Sequence, residues 1–188
     1  MNAVIGIVSI SYGRFLVTML ETERLRIDKF SVDDAAFMLT LLNTPSWIQF
    51  IGDRSVRTLT DAQAYILTGA LRSYEQHGFG PYLVKLKTNG QPIGLCGLFK
   101  RDSLNDPDIG FAFLPDYAGK GYGFESAMAV LNYARETLGL TRIIGVTLPT
   151  NHDSIRLLEK IGLRFEGNVR FRADGKESWL FGSPVSKL

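Results

Sequence analysis

Apolar and polar positions change period several times along the chain, and each change marks an element. Residues 24–30, RLRIDKF, alternate and read as a half-buried strand. Ser31 then offers an N-cap with Asp34 three residues on, opening a helix in which Ala35, Met38, Leu39 and Leu42 share a face until Pro45 stops it. Thr60 with Gln63 has the spacing of a second capping box, and Ile66, Leu67, Ala70, Leu71 and Tyr74 give the inward face of a second helix. Residues 81–99 read as a hairpin turned at Asn89-Gly90, where both residues tolerate positive φ. Residues 108–114, DIGFAFL, form a short buried strand halted by Pro115. Phe124, Ala127, Met128, Leu131, Ala134 and Leu138 then recur near 3.6, the mark of a helix packed on one face. Residues 142–148 are apolar on both faces and suit a central strand. A short helix over 151–161 and a hairpin of 163–172 with 177–182 around Asp174-Gly175 close the chain. The expected order is strand, two helices, three strands, helix, strand, helix, two strands, an α/β (α+β) class with a sheet of mixed direction.

Between the strand at 108–114 and the long helix lies the one stretch whose chemistry stands apart. Gly119, Gly121 and Gly123 alternate with Lys120 and Tyr122, so the backbone can turn tightly and approach a ligand without Cβ interference. The helix begins inside these glycines, where unpaired N–H groups and a partial positive charge make an anion cradle, best suited to phosphate. No Gly-Lys-Ser/Thr closes the run, so it is not a P-loop. Ser126 stands where a dinucleotide fingerprint has its third glycine.

Composition narrows the class further. At 188 residues the chain suits one domain, large enough to bury roughly 70% of its unfolded surface. A net charge of +2 without a basic run gives no reason to expect nucleic acid or an anionic membrane as partner. Cys96, the one cysteine, sits in the apolar run IGLCGLF and reads as a small buried hydrophobe, with a reducing, cytoplasmic setting as the default. His77 and His152 lie far apart and no Cys/His cluster exists, so no metal is expected. Residues 1–18 fit neither a signal peptide nor a membrane span, and read as an extension before a domain of residues 19–188. Residues 4–10 are expected to form an added edge strand or to lie against a second copy, which would make a homodimer.

The glycine run together with NHDSIRLLEKIGLRFEG resembles the acyl-CoA-binding core of the GCN5-related N-acetyltransferases (GNAT), in particular the branch of RimJ and RimL type that acetylates ribosomal-protein N-termini. The family pattern Arg/Gln-x-x-Gly-x-Gly/Ala is filled by Ala118 to Gly123, with Ala118 departing at the first position. The resemblance covers residues 20 to about 181 and implies the GNAT fold: a mixed, mostly antiparallel sheet splayed between two parallel central strands, with helices on both faces. It also implies acetyl-CoA as cosubstrate, its pantetheine arm between strands 108–114 and 142–148 and its pyrophosphate on the N–H groups of Gly119, Lys120, Gly121, Tyr122, Gly123 and Phe124. Lys120 is also read as a solvated side chain. The backbone around Phe113 and Leu114 would hold the thioester oxygen, and Asn151 and Ser154 match the Asn-x-x-Ser that contacts pantetheine.

The chemistry implied is direct attack of an amine on the thioester in a ternary complex. An α-amino group and a lysine differ by about 3 kcal/mol in the cost of deprotonation at pH 7, so a weak base or a water relay serves an N-terminal acceptor. Asp108 is the candidate base, standing where relatives carry Glu in Glu-Ile-Gly; one methylene shorter, it favours a bridging water. It also reads as a carboxylate capping the strand entry, while Asp102 and Asp106 would attract a cationic amine. Leu158 occupies the place of the family's acidic tyrosine, which leaves protonation of the departing thiolate to Ser154 or water. Glu159 and Lys160 are read as solvent-facing. The acceptor, a peptide N-terminus or a small primary amine, is expected among residues 47–57, 79–82 and 100–108, with Trp47, Phe50, Asp53 and Tyr82 as its contacts; Trp47 and Phe50 also read as packing between helices. A non-catalytic acyl-CoA-binding module is the alternative.

Overall fold

The computed structural model describes residues 18–170 and 175–183. Residues 4–10 and Asp174 therefore lie outside the described residues. Eight strands form one sheet: β1 (Thr18–Glu21), β2 (Leu25–Lys29), β3 (Pro81–Leu86), β4 (Pro92–Phe99), β5 (Asp108–Phe113), β6 (Ile144–Thr147), β7 (Arg164–Val169) and β8 (Ser178–Gly182). Their order across the sheet is β1-β2-β3-β4-β5-β6-β8-β7. Every neighbouring pair is antiparallel except β5 and β6. This is the GNAT fold expected from the sequence.

The sheet is covered on both faces because its central strands alternate two apolar sets. Ile27, Val84, Leu98 and Ile109 pack under Ala127, Val130, Leu131 and Ala134 of α5 (Tyr122–Glu136). Leu83 and Leu95 face the other way, toward Met38, Leu41 and Leu42 of α1 (Ala35–Leu42) and Ile66 of α3 (Leu59–Ile66). Cys96 is buried in the first of these cores, where burial pushes its thiol far above the ordinary range.

Three local expectations are corrected. Pro45 does stop α1, but it also occupies the first turn of a further helix, α2 (Pro45–Phe50), where its missing N–H costs nothing and the Thr44 hydroxyl accepts from Trp47 N–H. The capping box of α3 is Thr58 with Asp61, not Thr60 with Gln63; the Asp61 carboxylate reaches back to the Thr58 N–H at 2.9 Å. After α3 the chain widens into a π-turn over Leu67–Leu71 before α4 (Arg72–His77). The wider turn shifts the face by part of a residue, so Ala70 is buried while Leu67, expected inward, is half exposed. The last helix, α6 (His152–Lys160), is capped by Asn151, whose side-chain oxygen accepts from Ser154 N–H at 3.2 Å.

Candidate active site

Strands β5 and β6 run parallel and meet at one register point, Asp108 opposite Ile144, with Ile144 N–H donating to the Pro107 carbonyl at 3.0 Å. Beyond that vertex they separate. On its other side β5 is fully paired with β4, from Phe99 opposite Asp108 to Gly94 opposite Phe113. Leu114 N–H continues that ladder by donating to the Ile93 carbonyl at 2.9 Å. Antiparallel alternation therefore turns the N–H groups of Phe111 and Phe113 away from β4, into the gap. Of the two residues expected to offer an amide to a thioester oxygen, Phe113 has its N–H on the open side; that of Leu114 is taken.

The gap opens into a cleft of about 1260 Å³. One end is bounded by Gly119, Gly121, Gly123, Phe124 and, across from them, Asn151, Ser154 and Leu157 of α6 and its cap. Gly121 is the N-cap of α5 with φ +83, a left-handed conformation strained for any residue with a side chain. The N–H groups of Tyr122, Gly123 and Phe124 that follow have no acceptor in the helix, the backbone geometry that an anion cradle would need. A Cβ on Gly123 would lie 3.0 Å from the Leu157 side chain and 3.6 Å from the Phe113 ring, so a larger residue here would make Leu157 give way where β5, α5 and α6 converge.

The side chains of Lys120 and Tyr122 do not line the cleft. The Lys120 ammonium sits over the Tyr117 ring at 5.7 Å, and Tyr122 stacks under the Arg24 guanidinium at 4.5 Å. Arg24 carries no motif in the sequence, yet it clasps the whole turn. Its Nε donates to Glu125 at 2.6 Å and its Nη1 to the Lys120 carbonyl at 3.1 Å, while its N–H and the Thr22 hydroxyl hold the other oxygen of Glu125. These bonds hold Glu125 below the ordinary carboxylate range despite its partial burial. Glu159 and Lys160 are both exposed as expected, and Lys160 also borders the cleft with its ammonium 4.6 Å from the Phe124 ring.

The other end of the cleft is walled by Trp47, Phe50, Asp53, Arg54, Tyr65, Phe99, Arg101 and Ser103. Trp47 is also buried in the helical core, so the packing and lining readings both hold for it. Asp53 accepts from Ser55 N–H at 2.8 Å and from Arg57, and Arg57 holds its carboxyl below the usual range. Tyr82 is corrected: it is fully buried in β3, stacked on Tyr74 at 5.7 Å, and does not border the cleft. Alternation along β3 is the reason, since Tyr82 points to the α5 side with Val84. Asp106 is paired to Arg142 at 3.0 Å, and Asp102 lies by Thr68, Arg72 and Lys100 outside the cleft, so neither faces an incoming amine.

Asp108 sits at the vertex, buried, and borders the cleft. Arg101 Nε donates to Oδ1 at 2.7 Å and Nη2 to Oδ2 at 3.2 Å. Burial pushes its carboxyl above the ordinary range, and the pull of Arg101 in the other direction does not cancel this. Leu158 borders the cleft with an alkyl side chain, so no hydroxyl enters from that position. Among the described residues no group of three or more His, Cys, Asp or Glu gathers as a metal site, and no helix is long and apolar enough to cross a membrane.

A parallel strand pair opened into a cleft, with a glycine-started helix at its mouth, is the arrangement that the resemblance implied. The sequence model described as an acetyltransferase (GNAT) domain matches residues 24–164. The chain belongs to the GNAT acetyltransferases. Among GNAT relatives, an uncharacterized N-acetyltransferase, YnaD of Bacillus subtilis, is 30% identical over 79% of this chain and 84% of its own. A GNAT acetyltransferase crystal structure from Bacillus anthracis superposes with TM-score 0.73 at 26% identity, covering 89% of this chain and 98% of that one. The structure of ribosomal-protein-S5-alanine acetyltransferase from Vibrio fischeri superposes at 0.74 with 18% identity, over 89% and 96%, and shares the fold. The GNAT reaction here is acetyl transfer from acetyl-CoA to an amine, and the chain is an enzyme of that class.

Proposed function

We propose that acetyl-CoA lies with its pantetheine between β5 and β6 and its diphosphate on the first amides of α5, and that a primary amine, either a peptide N-terminus or a small molecule, attacks from the Trp47 side. The observation that carries this reading is the single contact between β5 and β6, which leaves main-chain amides of Phe111 and Phe113 facing open space. The amine nitrogen bonds to the thioester carbon and the carbon–sulfur bond breaks, with no enzyme-bound intermediate. The carbonyl oxygen is held by the Phe113 N–H. Asp108 takes the amine proton through a water; each of its oxygens keeps a lone pair beside the Arg101 bond, and its raised pKa makes it a stronger base than an ordinary aspartate. Ser154 or water protonates the thiolate, and Asn151, whose side-chain oxygen caps α6, holds the pantetheine through its amide nitrogen. Residues 19–188 are the catalytic unit, with the earlier residues an extension to it.

A RimJ/RimL-type acceptor, the N-terminus of a protein, is supported by the motif resemblance and by the fold shared with the ribosomal-protein acetyltransferase. Thiol release from acetyl-CoA over a panel of N-terminal peptides and small amines tests the proposal. Release with at least one acceptor is expected; micromolar binding of acetyl-CoA with no release from any would leave a binding module instead.

A further inference from the structure

The acceptor end of the cleft carries an unbalanced charge. Both of its carboxylates are engaged: Asp53 by Arg57 and the Ser55 N–H, and Asp108 by two nitrogens of Arg101. Arg54 lines the same wall, and among the described residues it makes no ion pair. Tyr65 lines it too, and its hydroxyl makes no hydrogen bond among the described residues. Arg54 and Arg101 both act electrostatically on that hydroxyl, which brings the three side chains into one neighbourhood; burial outweighs them and keeps the hydroxyl protonated, a donor. A polycationic acceptor would meet a guanidinium and find no open carboxylate. An anionic group would meet two donors, one of them charged.

We propose that Arg54 and Tyr65, beside the Arg101–Asp108 pair, form an anion subsite that selects amines bearing a carboxylate or phosphate group. The inference rests on the acetyl-transfer reading of this cleft and names the acceptor class within it. A fixed anion also directs the amine: the guanidinium holds one end of the acceptor while the nitrogen at the other reaches toward the vertex, so binding and orientation come from the same contact.

The test compares kcat/KM for matched acceptors: phosphoethanolamine with ethanolamine, an amino acid with its carboxamide, and spermidine as the polycation. The anionic member of at least one pair should lead by about tenfold or more, the worth of one charge-assisted hydrogen bond. Which pair shows the lead separates phosphate from carboxylate. Arg54→Ala and Tyr65→Phe should each reduce that ratio through KM, with Arg54→Lys restoring part of it. Equal rates within both pairs, a preference for spermidine, or a ratio untouched by Arg54→Ala would overturn the subsite. If no acceptor releases thiol, calorimetric titration of the CoA-loaded protein with phosphoethanolamine and the amino acid still decides it. Binding that Arg54→Ala abolishes retains the subsite and removes the transfer reading; absence of binding removes the subsite.

Discussion

The two ends of the cleft are made of different material. The end we propose for acetyl-CoA is main chain: the left-handed Gly121, the first amides of α5 and the edge of β5 that faces the gap. The end we propose for the acceptor is side chain: Trp47 and Phe50 from α2, Arg54 from the loop after it, Tyr65 from α3 and Arg101 beyond β4. A backbone surface tolerates most substitutions and fails only where a Cβ intrudes. A side-chain surface is respecified by a few changes on elements that leave the sheet alone. On the proposed placement, a fixed donor is separated from a changeable acceptor within one cavity.

Several substitutions would break or sharpen this contrast, and the largest effect is expected at the vertex where the two ends meet. Asp108→Asn should lower kcat by about 100-fold, within the usual range for a lost general base. In the unaltered enzyme, activity should fall as pH drops through the Asp108 pKa. Because burial raises that value, the fall should come at higher pH than for an ordinary aspartate; steady-state rates across pH in both proteins check this. Gly121→Val comes next. It forces a β-branched residue to φ +83 and sets its Cβ 3.2 Å from Arg24 Nη2; relaxing the turn relieves a strain of about 1–2 kcal/mol, which must be restored on binding, so acetyl-CoA affinity by calorimetry should fall roughly tenfold. Normal affinity in that variant would mean that the diphosphate does not rest on this turn.

Arg24→Ala should raise the KM for acetyl-CoA several-fold, by releasing the turn and removing the guanidinium that neutralises Glu125. Comparison with acetyl-pantetheine, which lacks the diphosphate, tells positioning from general damage: the loss should be confined to the full cofactor. The smallest effect is expected at the acceptor end. Thr58→Ala removes the cap of α3 and should cost about 1 kcal/mol of stability in denaturant melts while leaving the KM for acetyl-CoA unchanged.

The same contrast explains what is legible in the sequence. Glycine spacing reports directly on backbone shape, so the turn from Gly119 to Gly123, the start of α5 and the cap at Asn151 can all be read from residue order alone. Strand periodicity places the β3–β4 hairpin as well, but its turn is wider than Asn89-Gly90: Leu86 N–H donates to the Gln91 carbonyl and Gly90 N–H to the Leu86 carbonyl, and of the two turn residues Gly90 alone takes a positive φ. Side-chain convergence across distant segments leaves no such trace. Nothing in RLRIDKF indicates that Arg24 reaches Glu125, a hundred residues on, and nothing in the loop after β4 indicates that Arg101 closes on Asp108. Tyr82 lies away from the expected acceptor wall because position along a strand sets its face, and a one-residue change of register reverses it. Leu67 turns outward because a π-turn is invisible to a 3.6-residue period. The Thr58–Asp61 cap does have a signature, since Thr-x-x-Asp precedes the same helix; Thr60 with Gln63 competes with it at the same spacing, and the shorter acid prevails.

The lone register point between Asp108 and Ile144 also bears on how the molecule comes apart. To one side lies a five-stranded meander laced by antiparallel ladders of three to six registered pairs; to the other, three strands attach through that point, the salt bridge from Arg142 to Asp106 and the packing of α6. The seam is the weakest line across the sheet, so amide exchange in β6 and β8 should proceed through a lower-energy opening than in β3 and β4. A pantetheine laid along it would act as a ninth strand and stitch the two parts together, so that loading with acetyl-CoA slows exchange on both banks at once.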